Sequence, residues 1–344
     1  MNTSLHDLLG HVGRRTLVVA GALTAALVLV ATLPGLLGSN VIAALHQLAG
    51  AQPIFLWLGG LAFVGSLAGS ALAWRSALSA VGGHGGVVDA NARYGVGSLV
   101  NSVAPARLGD VVRVGLFSRT LPGGDRVLRT SGVFAAIGAA RALVLAAMLV
   151  VGFSLGALPF WPVAALAGLG GIAVALAFVT RRRTPHSHVA HLLDAFRAFG
   201  REPRRGARII AWIALATTCR LGAAAAIAAA LGVHSPVLAA LLIVPTLDLA
   251  GQMPLTPGNI GVTSGAVAMA LQAHGVGLTQ ALGAGIAFHA VETAAGLVFG
   301  LAGALLLARF PTPAVRRRSI AAVGGLAVAA LAYGIAMTVF VPLV

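Results

Sequence analysis

The chain has 344 residues, 58% of them apolar and only 9% charged, with a mean hydropathy of +0.96. Such a composition excludes a soluble globular domain and leaves no polar stretch long enough for a separate catalytic core, so any chemistry sits in or against the bilayer. The net charge of +15 rests on arginine alone, 23 residues with no lysine, in short intervals between apolar runs and in no nucleic-acid module, which excludes nucleic acid as a partner.

A membrane-spanning helix needs about 20 mostly apolar residues. Seven runs qualify, at 17–37, 54–74, 132–157, 162–180, 209–231, 279–308 and 320–342. Arg14 and Arg15 precede the first run, which is long enough to span and is therefore expected to be an uncleaved helix. The interval 75–130 carries Arg75, Arg93, Arg107, Arg113, Arg119, Arg126 and Arg129, whereas 233–278 carries no arginine. Arginine marks cytoplasmic loops, so the N-terminus, 75–130, 181–208 and 309–318 are expected inside, and 38–53, 158–161, 233–278 and the C-terminus outside.

Both ends of 75–130 then lie inside and both ends of 233–278 outside, yet each interval is apolar enough to enter the membrane. Two re-entrant helical hairpins follow, over about 87–118 and 236–276. The fold class is an all-α polytopic membrane protein, about seven full spans plus two re-entrant hairpins in an inverted repeat. It forms a single transmembrane domain over 1–344, with half-repeats at 54–180 and 209–308 and peripheral helices at 17–37 and 320–342. Gly59, Gly60, Gly65, Ser66 and Gly69, and likewise Gly296, Gly300 and Gly303, read as faces for close helix packing.

The most informative stretches run from Asn101 to Arg113 and from Met253 to Val262. Each holds a Pro-x-x-x-Gly frame inside apolar sequence. Proline removes a backbone donor and glycine admits unusual dihedrals, so each is expected to be a broken helix whose freed backbone groups need protein or water. Substrate contact is expected at Asn101, Pro105, Arg107, Gly109, Asp110 and Arg113 of the first and at Pro257, Gly258, Asn259 and Gly261 of the second. Arg107 and Arg113 can grip an anionic head group by forked hydrogen bonds; the plainer alternative is a solvated helix start with Asp110 at its positive end.

Ionisable residues within spans are few: Arg141, Arg220, Asp248, His289 and Glu292. They are expected to form an intramembrane charge network, with Arg141 or Arg220 paired to Asp248 or Glu292 and with His289 and Glu292 on one helix face; an ion pair that only fixes packing is the competing reading. His186, His188 and His191 lack a matching carboxylate or thiolate set, and Cys219 is alone, so no metal, disulfide framework or other cofactor is expected. No nucleophile triad or nucleotide loop has a usable context, which argues against an enzyme and against ATP-driven transport by this chain alone.

Asn101, Pro105, Arg107, Gly109, Asp110 and Arg113, taken with Pro257, Gly258, Gly261 and Val262, resemble the lysylphosphatidylglycerol synthase transmembrane-region family of flippase-like proteins, over about residues 54–308. The resemblance implies a membrane-embedded lipid translocator without the soluble aminoacyl-transferase half of the synthase. The chain departs from the family pattern in having Asp110 for Glu, Thr263 and Ser264 after the second motif where a Glu is expected, and Arg141 alone in place of an acidic-Arg-acidic pattern.

The expected function is movement of a phospholipid or related polar lipid between the leaflets of the cell membrane. Membrane lipids are the expected partners, with a homo-oligomer or an envelope-biosynthesis enzyme as further ones. The rivals are a transporter of polyprenyl phosphate or a small anion, and a non-transporting scaffold for envelope biosynthesis.

Overall fold

The computed structural model describes residues 50–104, 107–156, 202–250 and 260–308. The expected spans at 17–37, 162–180 and 320–342 lie outside these residues, as do Pro105, Pro257, Gly258 and Asn259. The described residues form eight helices and no strand: α1 (Pro53–Ala80), α2 (Val87–Val103), α3 (Leu108–Ser118), α4 (Arg126–Ser154), α5 (Pro203–Ala230), α6 (Pro236–Ala250), α7 (Ile260–Ala273) and α8 (Leu278–Leu307).

Four of them, α1, α4, α5 and α8, are long and apolar enough to cross a membrane. At 28 to 30 residues each they reach about 42–45 Å, whereas α2, at 17 residues, reaches only about 25 Å and falls short of a hydrocarbon core of about 30 Å. The same lengths recur in the same order, long, short, short, long, in α1–α4 and α5–α8.

Local chemistry repeats as well. Pro53 and Pro203 open α1 and α5, where a missing N–H costs nothing. Both helices close on a glycine at positive φ, Gly82 (86°) and Gly232 (69°), which lets Gly83 N–H donate to Leu78 O and Val233 N–H to Ala228 O. These bonds satisfy carbonyls that the helix end would otherwise leave open.

α1 and α5 form the most extensive helix pair, and they run antiparallel. Gly59 sits against Ile227 and Ala223, Gly65 against Cys219, and Gly69 against the backbone of Ala216, while Gln52 N–H donates to Ala230 O at 2.9 Å. The small faces foreseen in the sequence are thus the contact itself. A second small-residue contact joins α2 to α8, also antiparallel, with Gly95 against Phe299 and Gly303 against Ala92. Exchanging α1–α4 for α5–α8 maps each helix pair in substantial contact onto another such pair, α1·α5 onto itself; the α2·α8 contact is much larger than its counterpart α6·α4.

Both hairpins return to the end they came from. His84 N–H donates to Thr120 O, Arg93 to Leu116 O and Arg129 to Val81 O, so the α1–α2 loop, the end of α3 and the start of α4 lie together. Gln280 donates to Leu231 O, which brings the start of α8 to the end of α5. Because α1 and α5 are antiparallel, the α2–α3 and α6–α7 hairpins enter the bundle from opposite ends. Two apolar clusters match them, one joining α1, α2, α3, α4 and α5 around Trp74, Phe117 and Val133, the other joining α5, α6, α7 and α8 to the far end of α4 around Ile227, Leu271 and Phe288.

Candidate functional site

The first hairpin turns where the sequence places its proline. Val103 ends α2, and Ala104 before Pro105 is extended (ψ 145°), as the proline ring requires of its predecessor. Arg107 takes up the left-handed conformation (φ 54°, ψ 34°) and α3 begins at Leu108. A side chain at positive φ costs on the order of 1 kcal/mol, an expense that surrounding contacts must hold in place.

The two arms meet at glycines. A Cβ on Gly109 would overlap Gly97 O and the Asn101 carboxamide, and one on Gly97 would lie 2.9 Å from Gly109 O. This closeness brings polar groups of both arms into one cluster. Asn101 donates to Asp110 Oδ1 at 3.2 Å, and Arg113 pairs with the same oxygen at 2.5 Å. Arg113 also donates to Ser98 Oγ at 3.2 Å and lies over the Tyr94 ring, 4.0 Å from its centroid. At 7% exposure, its guanidinium is enclosed by the hairpin rather than presented outward.

The second cluster spans three helices. Arg220 of α5 pairs with Asp248 near the end of α6 at 2.6 Å and with Glu292 of α8 at 3.2 Å. Glu292 lies at the middle of the 30-residue α8, with His289 one turn before it and the Thr293 hydroxyl 3.4 Å from His289 Nε2. The expected pairing is therefore realised through Arg220, which takes both carboxylates, while Arg141 is exposed on α4 with no carboxylate partner among the described residues. A charged arginine at the centre of a spanning helix costs about 2.5–3.5 kcal/mol even on the lower scales.

The clusters are neighbours. Tyr94 of α2, beside Ser70 of α1, lies within electrostatic range of Arg113, Arg141 and Arg220. A Cβ on Gly296, one turn beyond Glu292, would stand 2.9 Å from Ser102 Oγ at the end of α2. The end of α2 and the end of α6 thus converge on the middle of α8. Gly261 lies in the first turn of α7. Tyr94, Ser98 and Ser70 are site residues that sequence reasoning did not single out; the signal was a tyrosine and two serines in helices otherwise lined by apolar and small residues.

Among the described residues, the buried side-chain atoms without a hydrogen-bond partner are Asn101 Oδ1, Arg113 Nε, Arg220 Nε and His289 Nδ1, all in these two clusters. Buried polar groups are ordinarily satisfied, and these four atoms concentrate the unspent hydrogen-bonding capacity of the described residues in the two clusters. No group of His, Cys, Asp and Glu able to hold a metal occurs among the described residues.

The sequence profile described as the lysylphosphatidylglycerol synthase TM region matches residues 17–300. Comparison with curated proteins finds no match.

Proposed function

We propose that this chain, which belongs to the lysylphosphatidylglycerol synthase transmembrane-region family, is a membrane protein that moves a phospholipid or related polar lipid between leaflets. The observation that carries the reading is the Arg220–Asp248–Glu292 centre, with its orphaned polar atoms, where two oppositely entering hairpins converge. Pairs of broken helices that meet inside a bundle are how membrane carriers form a polar site without exposing backbone to lipid. The head group would cross through this centre while acyl chains stay in the bilayer. The protein would act as a carrier, not an enzyme, with Asn101, Asp110 and Arg113 shaping one wall.

The described arginines at loop depth, Arg75, Arg93, Arg119, Arg126, Arg129, Arg204, Arg205 and Arg208, gather at the end where α1 finishes and α5 begins. The opposite end, formed by 50–52, 155–156, 231–235 and 274–277, carries no charged residue other than histidine. This asymmetry supports a plasma-membrane orientation with the arginine end cytoplasmic. Leaflet-resolved assay of a fluorescent phospholipid in proteoliposomes tests the function. Transfer faster than in protein-free vesicles is expected; movement of a soluble anion alone would favour the small-anion carrier, and no movement of either would favour a scaffold.

A further inference from the structure

α4 is anchored at both ends and exposed along one face between them. Val133 and Ala136 are buried in the first apolar cluster, and Met148 and Leu149 in the second; between them Ile137, Ala140 and Val144 pack against the first cluster along one face, but no residue from 137 to 147 is fully buried. This interval covers about 16 Å of helix. Arg141 stands at its centre and is exposed, with the exposed Gly138 one turn before it leaving that side of the guanidinium uncovered. Phe134, two turns before Arg141 and on the same face of the helix, is an exposed large apolar side chain, at 40%.

Charges explain why this residue differs from its neighbours. Arg113 is paired with Asp110, and Arg220 with two carboxylates, so three arginines and three carboxylates share the region of Tyr94 while Arg141 holds none of the three acids. A guanidinium at mid-depth that no carboxylate among the described residues neutralises is costly and calls for an anion from elsewhere. A phosphodiester meets that need with a bidentate geometry that water does not supply.

We infer that Arg141 is the receptor for the phosphate of a membrane lipid, which enters sideways at the exposed face of the middle of α4 with an acyl chain along Phe134, two turns away on the same face. The inference rests on the lipid-handling reading and names where the head group is held. An open flank is the feature that favours a lipid over a soluble ion.

Binding at equilibrium tests it independently of transport. The purified full chain in detergent is titrated with phosphatidylglycerol, with diacylglycerol and with glycerol phosphate, and retention is read by native mass spectrometry alongside thermal unfolding. Retention of phosphatidylglycerol but not diacylglycerol is expected, with Arg141→Gln weakening it at least about tenfold and Arg141→Lys less. An Arg208→Gln control is expected to bind as the unaltered chain does.

Since Arg141 pairs with no carboxylate among the described residues, Arg141→Gln should not lower the lipid-free unfolding temperature and should abolish the increase that phosphatidylglycerol causes. A lower lipid-free unfolding temperature would assign Arg141 a packing role and overturn the proposal. Equal binding by Arg141→Gln would also overturn it, and glycerol phosphate binding as tightly as the lipid would overturn the lipid as occupant. Binding that passes these tests in a chain that moves no lipid would leave the receptor standing and remove the transport function.

Discussion

The two hairpins have similar lengths and opposite entries, yet they are held in different ways. The polar ties of the first run within it, since Asn101, Asp110, Arg113, Ser98 and Tyr94 all belong to α2 or α3 and the arms close on Gly97 and Gly109, while its hold on the bundle is the apolar packing of α2 on α8. The second is fastened outward, since Asp248 reaches Arg220 on α5 and, through it, Glu292 on α8. A hairpin tied to itself keeps its shape wherever it sits. One tied to two other helices by an ion triad has its position set by charge, and charge is what a polar substrate can compete for.

The largest effect that follows is on the outward tie. Arg220→Met leaves two carboxylates at mid-depth without their cation and is expected to cost about 3–5 kcal/mol, read as a fall in the thermal unfolding midpoint in detergent. Replacing all three residues with apolar ones of similar size should restore much of that stability but no transport. If Arg220→Met alone unfolds no earlier than the unaltered chain, the triad does not hold the second hairpin.

Next comes the self-fastened hairpin. Gly109→Ala forces a methyl into Gly97 O and the Asn101 side chain, and overpacking of this kind costs about 1–3 kcal/mol. Gly115→Ala, on the same short helix but with open space around it, is expected to be neutral or to stabilise by up to about 1 kcal/mol. Similar unfolding curves for the two variants would mean that the arms are not in contact.

A smaller effect is expected for Arg113→Lys. The charge stays near Asp110, but the fork to Ser98 and the flat contact with Tyr94 are lost, together about 1–2 kcal/mol. Chemical unfolding with the native slope and a lower midpoint would be the signature. No change would show that Arg113 is not part of the hairpin's internal tie.

Most of the described part of the fold was legible because membrane-depth sequence has few ways to break a helix. Pro105, Gly109, Pro257 and Gly258 punctuate apolar runs, and the arginine asymmetry between 75–130 and 233–278 dictated that each hairpin leave by the side it entered. The described long helices accordingly begin and end within six residues of the hydropathy limits.

The pairing of charges was only half legible. Cost alone says that Arg220, Asp248 and Glu292 must find partners, but which arginine serves which acid depends on α5 lying between α6 and α8, a matter of long-range packing. Arg113 could be read as outward-facing because its spacing from Asp110 suits either a solvated helix or an enclosed pair. Burial by Gly97 and Tyr94 decides between them, and neither contact has a periodic signature in the chain.

The most direct test of the central claim, that the mid-depth charge centre is where a head group crosses, is the rate of phospholipid transfer by Glu292→Gln in proteoliposomes at matched amounts of folded protein. Gln keeps the shape and leaves Arg220 paired with Asp248, so the fold should survive while the second carboxylate, 3.2 Å from Arg220, is removed. The account predicts transfer at least about tenfold slower with helix content unchanged, the loss of one charge-assisted contact in the crossing state. Transfer at the rate of the unaltered protein would contradict it and would make the centre a packing device.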